Sequence, residues 1–405
     1  MRCISLVPIL LALGLSTPLL AAHGDRARDL GIPLEGTPGK LNAITDVPGV
    51  LVGHTTLIEG EGALEVGKGP VRTGVTAILP RGRDGINQPV FAGWFSLNGD
   101  GEMTGTTFIE EKGSFWGPVM ITNTHSVGIV RDSVHQWMHR NYGWPVSLPV
   151  VAETLDGPVP GWAGLNDANG MHVQPEHVFN ALGNASGGVV SEGNVGGGTG
   201  MICNEFKGGI GTSSRLVSIE SELFTVGVIV QCNYGKRSWL RVAGVPVGAE
   251  LPSPSICYEG DVPAGSRVPN CSEPSQNIGA DLGSIIVVVG TDVPLLPHQL
   301  KRVARRVSLG LGRLGSSAGD GSGDIFLAFS TVEKDAEEGT AFSEVRSLGN
   351  DWLTPVFEAT VQATEEAVVN AMLKAETMVG ANYLRVPRLP HGDLVEVLRK
   401  YNRIE

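Results

Sequence analysis

Ser284 stands at the head of the run Ser284-Ile285-Ile286-Val287-Val288-Val289, with Gly283 just before it. A β-branched run that is apolar on both faces reads as a buried strand. A Gly-Ser pair at the mouth of such a strand fits ordinary strand punctuation. It also fits a chemical reading, self-cleavage. The Ser284 hydroxyl would attack the Gly283 carbonyl, the peptide would rearrange to an ester, and water would split it. Ser284 would then carry a nucleophile and a free α-amine whose pKa, roughly 7.7–8.0, suits a base working near neutral pH. Glycine suits the attacked side because it lacks a Cβ and tolerates strained dihedrals.

Four further polar residues sit where strands begin or end. Ser322 and Asp324, in Gly321-Ser322-Gly323-Asp324, precede the apolar run 325–329. Alone this pattern is a turn; beside a nucleophile it is a serine–carboxylate pair able to orient Ser284. Asn233 ends the run 226–232, where an asparagine is commonly a turn former and its amide can also donate to an oxyanion. Glu153 ends another strand before a glycine turn, as a solvated carboxylate or as a clamp for a substrate ammonium group.

The elements that must position these residues are read from periodicity. Strands are expected over 50–55, 74–79, 89–97, 117–124, 148–154, 198–204, 208–215, 225–233 and 324–330, besides the Ser284 strand. Helices are expected over 127–140, 175–182, 297–309, 354–378 and 393–401. Strands in runs and helices in runs indicate stacked layers, an α+β design. The Pro/Ser/Gly-rich stretch 251–282 is the expected place for a chain break.

The 405 residues permit a substantial core, and the net charge of −12 argues against nucleic acid as a partner. Residues 1–22 read as a secretory signal, so the mature chain is expected to be secreted or periplasmic, with no membrane segment after signal cleavage. In an oxidising compartment Cys257 and Cys271 are a plausible disulfide, whereas Cys203 and Cys232, in apolar strand-like runs, read as buried thiols. No metal site is expected, since ligand spacing is lacking, and His135 and His139 flank Gln-Trp-Met rather than the pattern of a zinc protease. Gly310-Leu-Gly-Arg-Leu-Gly315 follows a helix instead of joining strand to helix, which disfavours a dinucleotide site. Gly315-Ser-Ser-Ala-Gly319 keeps Ser317 as a rival nucleophile in the wrong strand–helix order.

Taken together, these residues resemble the autoprocessing L-aminopeptidase/D-esterase and β-aminopeptidase family. The matching stretches run from about Leu30 to about Leu398. They include Ile44–His54, Ile121–Gly128, Glu153–Gly157, Leu165–Asp167, Gly198–Met201, Phe206–Thr212, Val230–Asn233, Gly283–Val288, Thr291–His298 and Gly321–Asp324. The resemblance implies a four-layer αββα sandwich like that of the N-terminal-nucleophile hydrolases but with its own connectivity. It implies a single catalytic domain cut into an α chain, 23–283, and a β chain, 284–405. The nucleophile would be Ser284, the second serine and carboxylate Ser322 and Asp324, the oxyanion asparagine Asn233, and the amine clamp Glu153. A homo-oligomer, a tetramer or octamer of αβ units, is expected. Two departures stand out: Leu155 occupies a position where many relatives carry an aromatic residue, and the 251–282 stretch with its cysteine pair is longer than usual.

The expected function is therefore an exported, self-cleaving serine aminopeptidase without a cofactor. It would act on short peptides, amides or esters with a free amino group (L-α, D-α or β) through an acyl-enzyme on Ser284. The competing expectations are a catalytically silent binding protein on the same fold and a hydrolase using Ser317.

Overall fold

The computed structural model describes residues 25–143, 148–159, 162–251, 255–274, 283–332, 341 and 344–405. The expected signal, 1–22, and the last residues of the 251–282 stretch lie outside them. Two sheets lie face to face. The first orders β1 (Leu51–Glu59), β2 (Val71–Leu79), β5 (Val119–Asn123) and β6 (Val150–Thr154). The second orders β4 (Ser114–Phe115), β3 (Val90–Ser96), β13 (Ile325–Ser330), β12 (Ser284–Thr291), β10 (Glu222–Asn233) and β9 (Gly209–Ile219). Pairing is antiparallel except for β5/β6 and β12/β13. Parallel neighbours need a crossover, supplied for β12/β13 by α5 (Pro297–Arg313).

The run that opened the sequence reading is buried on both faces for a simple reason. Ile286 and Val288 point into the core between the sheets, against Ile121 and Ala152 of the first sheet. Ile285, Val287 and Val289 point the other way, into the core beneath α5 and α6 (Thr354–Leu373). On the outer face of the first sheet, α2 (Val127–Tyr142) and α3 (Pro175–Asn184) bury Val130, Val134, Val178 and Leu182 against Val75 and Met120. Helix, sheet, sheet, helix: this is the expected αββα sandwich. α5 shows how the pattern builds it. Pro297 occupies the first turn, and Leu300, Val303, Ala304, Val307 and Leu311 form one buried stripe.

The remaining elements are short. α1 (Thr106–Lys112), bracketed by left-handed Gly105 and Gly113, was not expected from the sequence. β7 (Ile202–Cys203) and β8 (Phe206–Lys207) form a small ladder, while β11 (Cys257–Tyr258), β15 (Leu384–Val386) and β14 (Met378–Val379) form another. α4 (Val247–Glu250) precedes the cysteine-bearing stretch, and α7 (His391–Lys400) closes the chain. The helix expected to reach Met378 ends at Leu373, because Met378 pairs with Val386 instead.

Two sequence readings need correction or recasting. Cys203 and Cys232 are not free thiols. The Asn204–Glu205 turn returns β7 to β8, and Gly208, with no side chain, lets β7 lie beside the end of β10; the Cα atoms of Cys203 and Cys232 lie 5.6 Å apart, and they form a disulfide. Cys257 and Cys271 form a second disulfide, closing a separation of 14 residues. The Gly310–Gly315 motif is the last turn of α5 and its exit. A Cβ on Gly310 would meet Thr364 of α6 at 2.7 Å, so this glycine permits close helix contact. Gly315 has φ +92° and lies against the Trp239 carbonyl. Ser317 lies in the irregular stretch that follows.

Candidate active site

Ser284 begins β12, and its register partner on β10 is Asn233. The two strands end together at the same edge of the second sheet, so the ladder itself sets the Ser284 hydroxyl beside the Asn233 amide. Gly283 passes over the end of β10 so closely that a Cβ there would lie 1.9 Å from the Asn233 carbonyl oxygen. No other residue type fits at position 283 without moving β10.

Ser284 Oγ accepts a hydrogen bond from the Gly323 N–H at 3.0 Å. Asp324 does not meet the Ser284 hydroxyl directly. Its Oδ1 accepts from Ser322 Oγ at 2.6 Å and from the Ile285 N–H at 3.2 Å. Through Asp324 the serine–carboxylate pair therefore grips the backbone one residue after Ser284, and Gly323 between its members supplies the donor to Oγ. That loop is held in turn by Asn98, whose Oδ1 accepts from the Asp324 N–H at 2.9 Å and whose Nδ2 donates to the Gly319 carbonyl at 2.7 Å. Ser322 and Asp324 are fully buried.

Asn233 is fixed at both ends of its amide. Oδ1 accepts from the Ile202 N–H at 2.7 Å, and Nδ2 donates to the Leu155 carbonyl at 2.9 Å. A side-chain amide nitrogen carries two hydrogens, and Leu155 takes one of them.

Glu153 comes from the other sheet, at the end of β6. Its Oε1 accepts from the Glu102 N–H at 2.8 Å, and its Oε2 accepts from the Thr124 hydroxyl. Burial raises its pKa above the ordinary carboxylate range; the two hydrogen bonds oppose that shift, and the nearby charges of Glu102 and Asp100 add to it.

Ser284 and Glu153 open onto one cavity of about 370 Å³, whose walls also include Asp100, Gly101, Glu102, Thr124, Leu155, Val159 and Gly321. The wall carries three carboxylates and no Lys or Arg among the described residues, which favours a cationic ligand group. Leu155 and Val159 give it an aliphatic side. Ser317 is not among these lining residues.

Ser284, Asn233, Ser322, Asp324 and Glu153 are thus brought to one place from both sheets. Asp100, Glu102, Thr124, Asn98 and Gly323 were missed in the sequence. The Asn98-Gly-Asp-Gly101 run reads as an ordinary turn, and nothing local shows that it folds against Gly323. There a Cβ on Gly323 would meet the Asp100 carbonyl at 2.5 Å. His135 and His139 lie on α2, against the outer face of the first sheet.

A buried serine with an N–H donor, an immobilised amide and a carboxylate clamp across one cavity can do acyl transfer from a substrate bearing an amine. Known proteins agree with that reading. Residues 42–386 match peptidase family S58. The chain is 51% identical over 400 residues to the beta-peptidyl aminopeptidase BapA of Sphingosinicella microcystinivorans, covering 98% of each. To the protein of the same name from Sphingosinicella xenopeptidilytica it is 47% identical over 400 residues, covering 97% of this chain and 96% of that one. The L-aminopeptidase D-Ala-esterase/amidase of Ochrobactrum anthropi, described as a prototype for the serine aminopeptidases and a variant of the Ntn hydrolase fold, superposes with a TM-score of 0.81. It shares 44% sequence identity over 94% of this chain and 99% of that one. The chain belongs to peptidase family S58 and is an aminopeptidase with the N-terminal-nucleophile hydrolase fold.

Proposed function

We propose that the chain matures by cutting itself between Gly283 and Ser284, and that the exposed Ser284 then releases N-terminal β-amino acids from short peptides, amides or esters. In maturation, Ser284 Oγ bonds to the Gly283 carbonyl carbon, the C–N bond breaks, and the Oγ proton passes to the nitrogen. Water then hydrolyses the ester, leaving a Gly283 carboxylate and a free Ser284 amine and hydroxyl. In turnover, the Ser284 amine accepts the hydroxyl proton as Oγ attacks the substrate carbonyl. The second Asn233 amide hydrogen and the Gly323 N–H serve the negative charge at the reacting centre. The leaving amine takes a proton, and water frees the acyl group. Ser322 and Asp324 hold the backbone at Ile285 so that Ser284 stays in register.

The observation that carries this reading is that Ser284 and Glu153 share one cavity whose wall charges are acidic. Glu153 takes the substrate's ammonium group, which places the first carbonyl at Ser284. The β preference is carried over from the two Sphingosinicella relatives named above, and the aliphatic Leu155 and Val159 wall can accommodate the extra methylene. Export through the N-terminal segment 1–22 and assembly into a tetramer or octamer of αβ units complete the proposal.

The test is a panel of matched amides. With β-alanyl, L-alanyl and D-alanyl p-nitroanilides, kcat/KM is expected to be highest for the β-alanyl compound. A preference for either α-aminoacyl amide would overturn the substrate assignment while leaving the nucleophile in place. Light scattering on the purified protein reads the assembly, and a monomer would remove that part of the proposal.

A further inference from the structure

Lys207 is a buried cation that the mechanism above does not use. It lies on β8, 0% exposed. Its ammonium donates to three carbonyls, those of Met201 at 2.7 Å, Gly208 at 3.0 Å and Gly198 at 3.4 Å. These carbonyls belong to the two limbs of one tight loop, residues 198–208. The loop threads a narrow space. A Cβ on Gly200 would meet the Arg72 carbonyl at 2.2 Å and Asp156 Cβ at 2.8 Å, and one on Gly208 would meet the Cys232 carbonyl at 2.4 Å. Between the two limbs, the same loop presents the Ile202 N–H that holds Asn233 Oδ1.

The other end of the Asn233 amide is held by the carbonyl of Leu155, the residue before Asp156. Asp156 is also buried, accepts from Asn166 Nδ2 at 3.0 Å, and is the charge that acts on Lys207. Each anchor of the Asn233 amide is therefore adjacent to one of two buried residues of opposite charge, Leu155 to Asp156 in sequence and Ile202 to Lys207 across the β7–β8 ladder. Burial is the chief cause that lowers Lys207 to about 7, opposed by the Asp156 charge, and that raises Asp156 to about 6, opposed by its hydrogen bonds. Two ionisable groups kept at such a desolvation cost, with no solvent contact, call for an account beyond packing.

We propose that Lys207, together with Asp156, is a positioning residue that fixes the Asn233 amide at the reacting centre by closing the 198–208 loop onto it. This deepens the reading of Asn233 as the oxyanion donor and rests on it. Lys207 touches neither substrate nor nucleophile; it acts through Ile202 and Asn233.

The experiment is a double-mutant cycle on the full-length protein, with Lys207→Met, Asn233→Ala and the double variant. kcat and KM are read on matured enzyme, and the rate of Gly283–Ser284 cleavage is read for any variant slow to mature. Melting temperature verifies folding. Lys207→Met is expected to lower kcat about a hundredfold, the effect of misplacing a reacting group by about 1 Å, with KM within about twofold. In the Asn233→Ala background it is expected to cost nothing further, since the residue it positions is gone. Lys207→Arg, which keeps the charge and donors, is expected to recover part of kcat. Should Lys207→Met fail to fold, Asp156→Asn enters the cycle in its place, with the same lack of additivity expected. Fully additive losses, or a folded Lys207→Met with unchanged kcat, would overturn the positioning role. An Asn233→Ala variant with undiminished turnover would instead remove the oxyanion reading, and this inference with it.

Discussion

Asn233 and Ser284 are direct partners across the antiparallel β10–β12 ladder, with the Gly283 peptide packed against the Asn233 carbonyl. The Ser284 hydroxyl, the Gly283–Ser284 bond and the Asn233 amide are therefore set by sheet register rather than by a mobile loop. A slip of one residue would turn Ser284 to the opposite face and break all three relationships at once.

The crowding at Gly283 makes it hard to replace. Gly283→Ala puts a Cβ 1.9 Å from the Asn233 carbonyl, so the strand end must shift. Uncut chain is expected to accumulate, visible as a single band on a denaturing gel while wild type shows two. Normal cleavage of this variant would show that the close approach is not needed for maturation.

The donor to Ser284 Oγ is a backbone N–H, so it can be disturbed only through its neighbours. Gly323→Ala would press on the Asp100 carbonyl and on Gly101 and carry the Gly323 N–H away from Ser284. The loss of one preorganised donor costs about 10²–10³ in kcat. A fall of that size, with the melting temperature little changed, is the expected result from steady-state kinetics and calorimetry.

If Glu153 holds the substrate's ammonium group as proposed, it sets an acid limit on substrate binding. Its pKa is raised, chiefly by burial. Only the ionised carboxylate attracts an ammonium group, so binding energy is fully present above this raised value and is lost as pH falls through it. The acid limb of kcat/KM is expected above the ordinary glutamate value of about 4.3. Glu153→Gln should remove this lower step, leaving the acid limb set by protonation of the Ser284 amine, and raise KM at neutral pH. An acid limb unchanged in Glu153→Gln would assign it to another group.

Stability has its own buried charge centre, remote from Ser284. Arg215 of β9 and Glu366 of α6 pair at 2.7 Å, both essentially unexposed, and Arg28 of the N-terminal arm reaches the same carboxylate at 3.0 Å. Removing one partner leaves the other charge buried and unpaired. Glu366→Ala is therefore expected to cost about 3–5 kcal/mol in denaturant unfolding. A loss below about 1 kcal/mol would mean that water reaches Arg215 in the variant.

Much of the site was legible in the sequence because it sits on strand ends. Ser284 begins an apolar run while Asn233 and Glu153 end theirs, and strand ends in stacked sheets converge on the same edge. What stayed hidden depends on packing between distant segments. Asp100 and Glu102 join Glu153 only when the first sheet meets the second, and Asn98 reaches Asp324 across 226 residues. The Ser322–Asp324 pair was legible as a pair, but its grip on the Ile285 N–H requires the parallel β12–β13 register. Cys203 and Cys232 looked like buried thiols because each lies among apolar neighbours; their bond depends on the close packing at Gly208 between β7 and the end of β10. Lys207 gave no local signal at all, since a lysine in a short polar–glycine stretch usually faces solvent.

The central claim is that Ser284 becomes an N-terminus and then acts as the nucleophile. Intact mass together with N-terminal sequencing of the purified protein, for wild type and Ser284→Ala, tests it most directly. The account requires two wild-type fragments, one beginning Ser284-Ile285-Ile286, and a single inactive chain for the variant. An uncut wild-type protein with full aminopeptidase activity, or a Ser284→Ala variant that still turns over substrate, would contradict it.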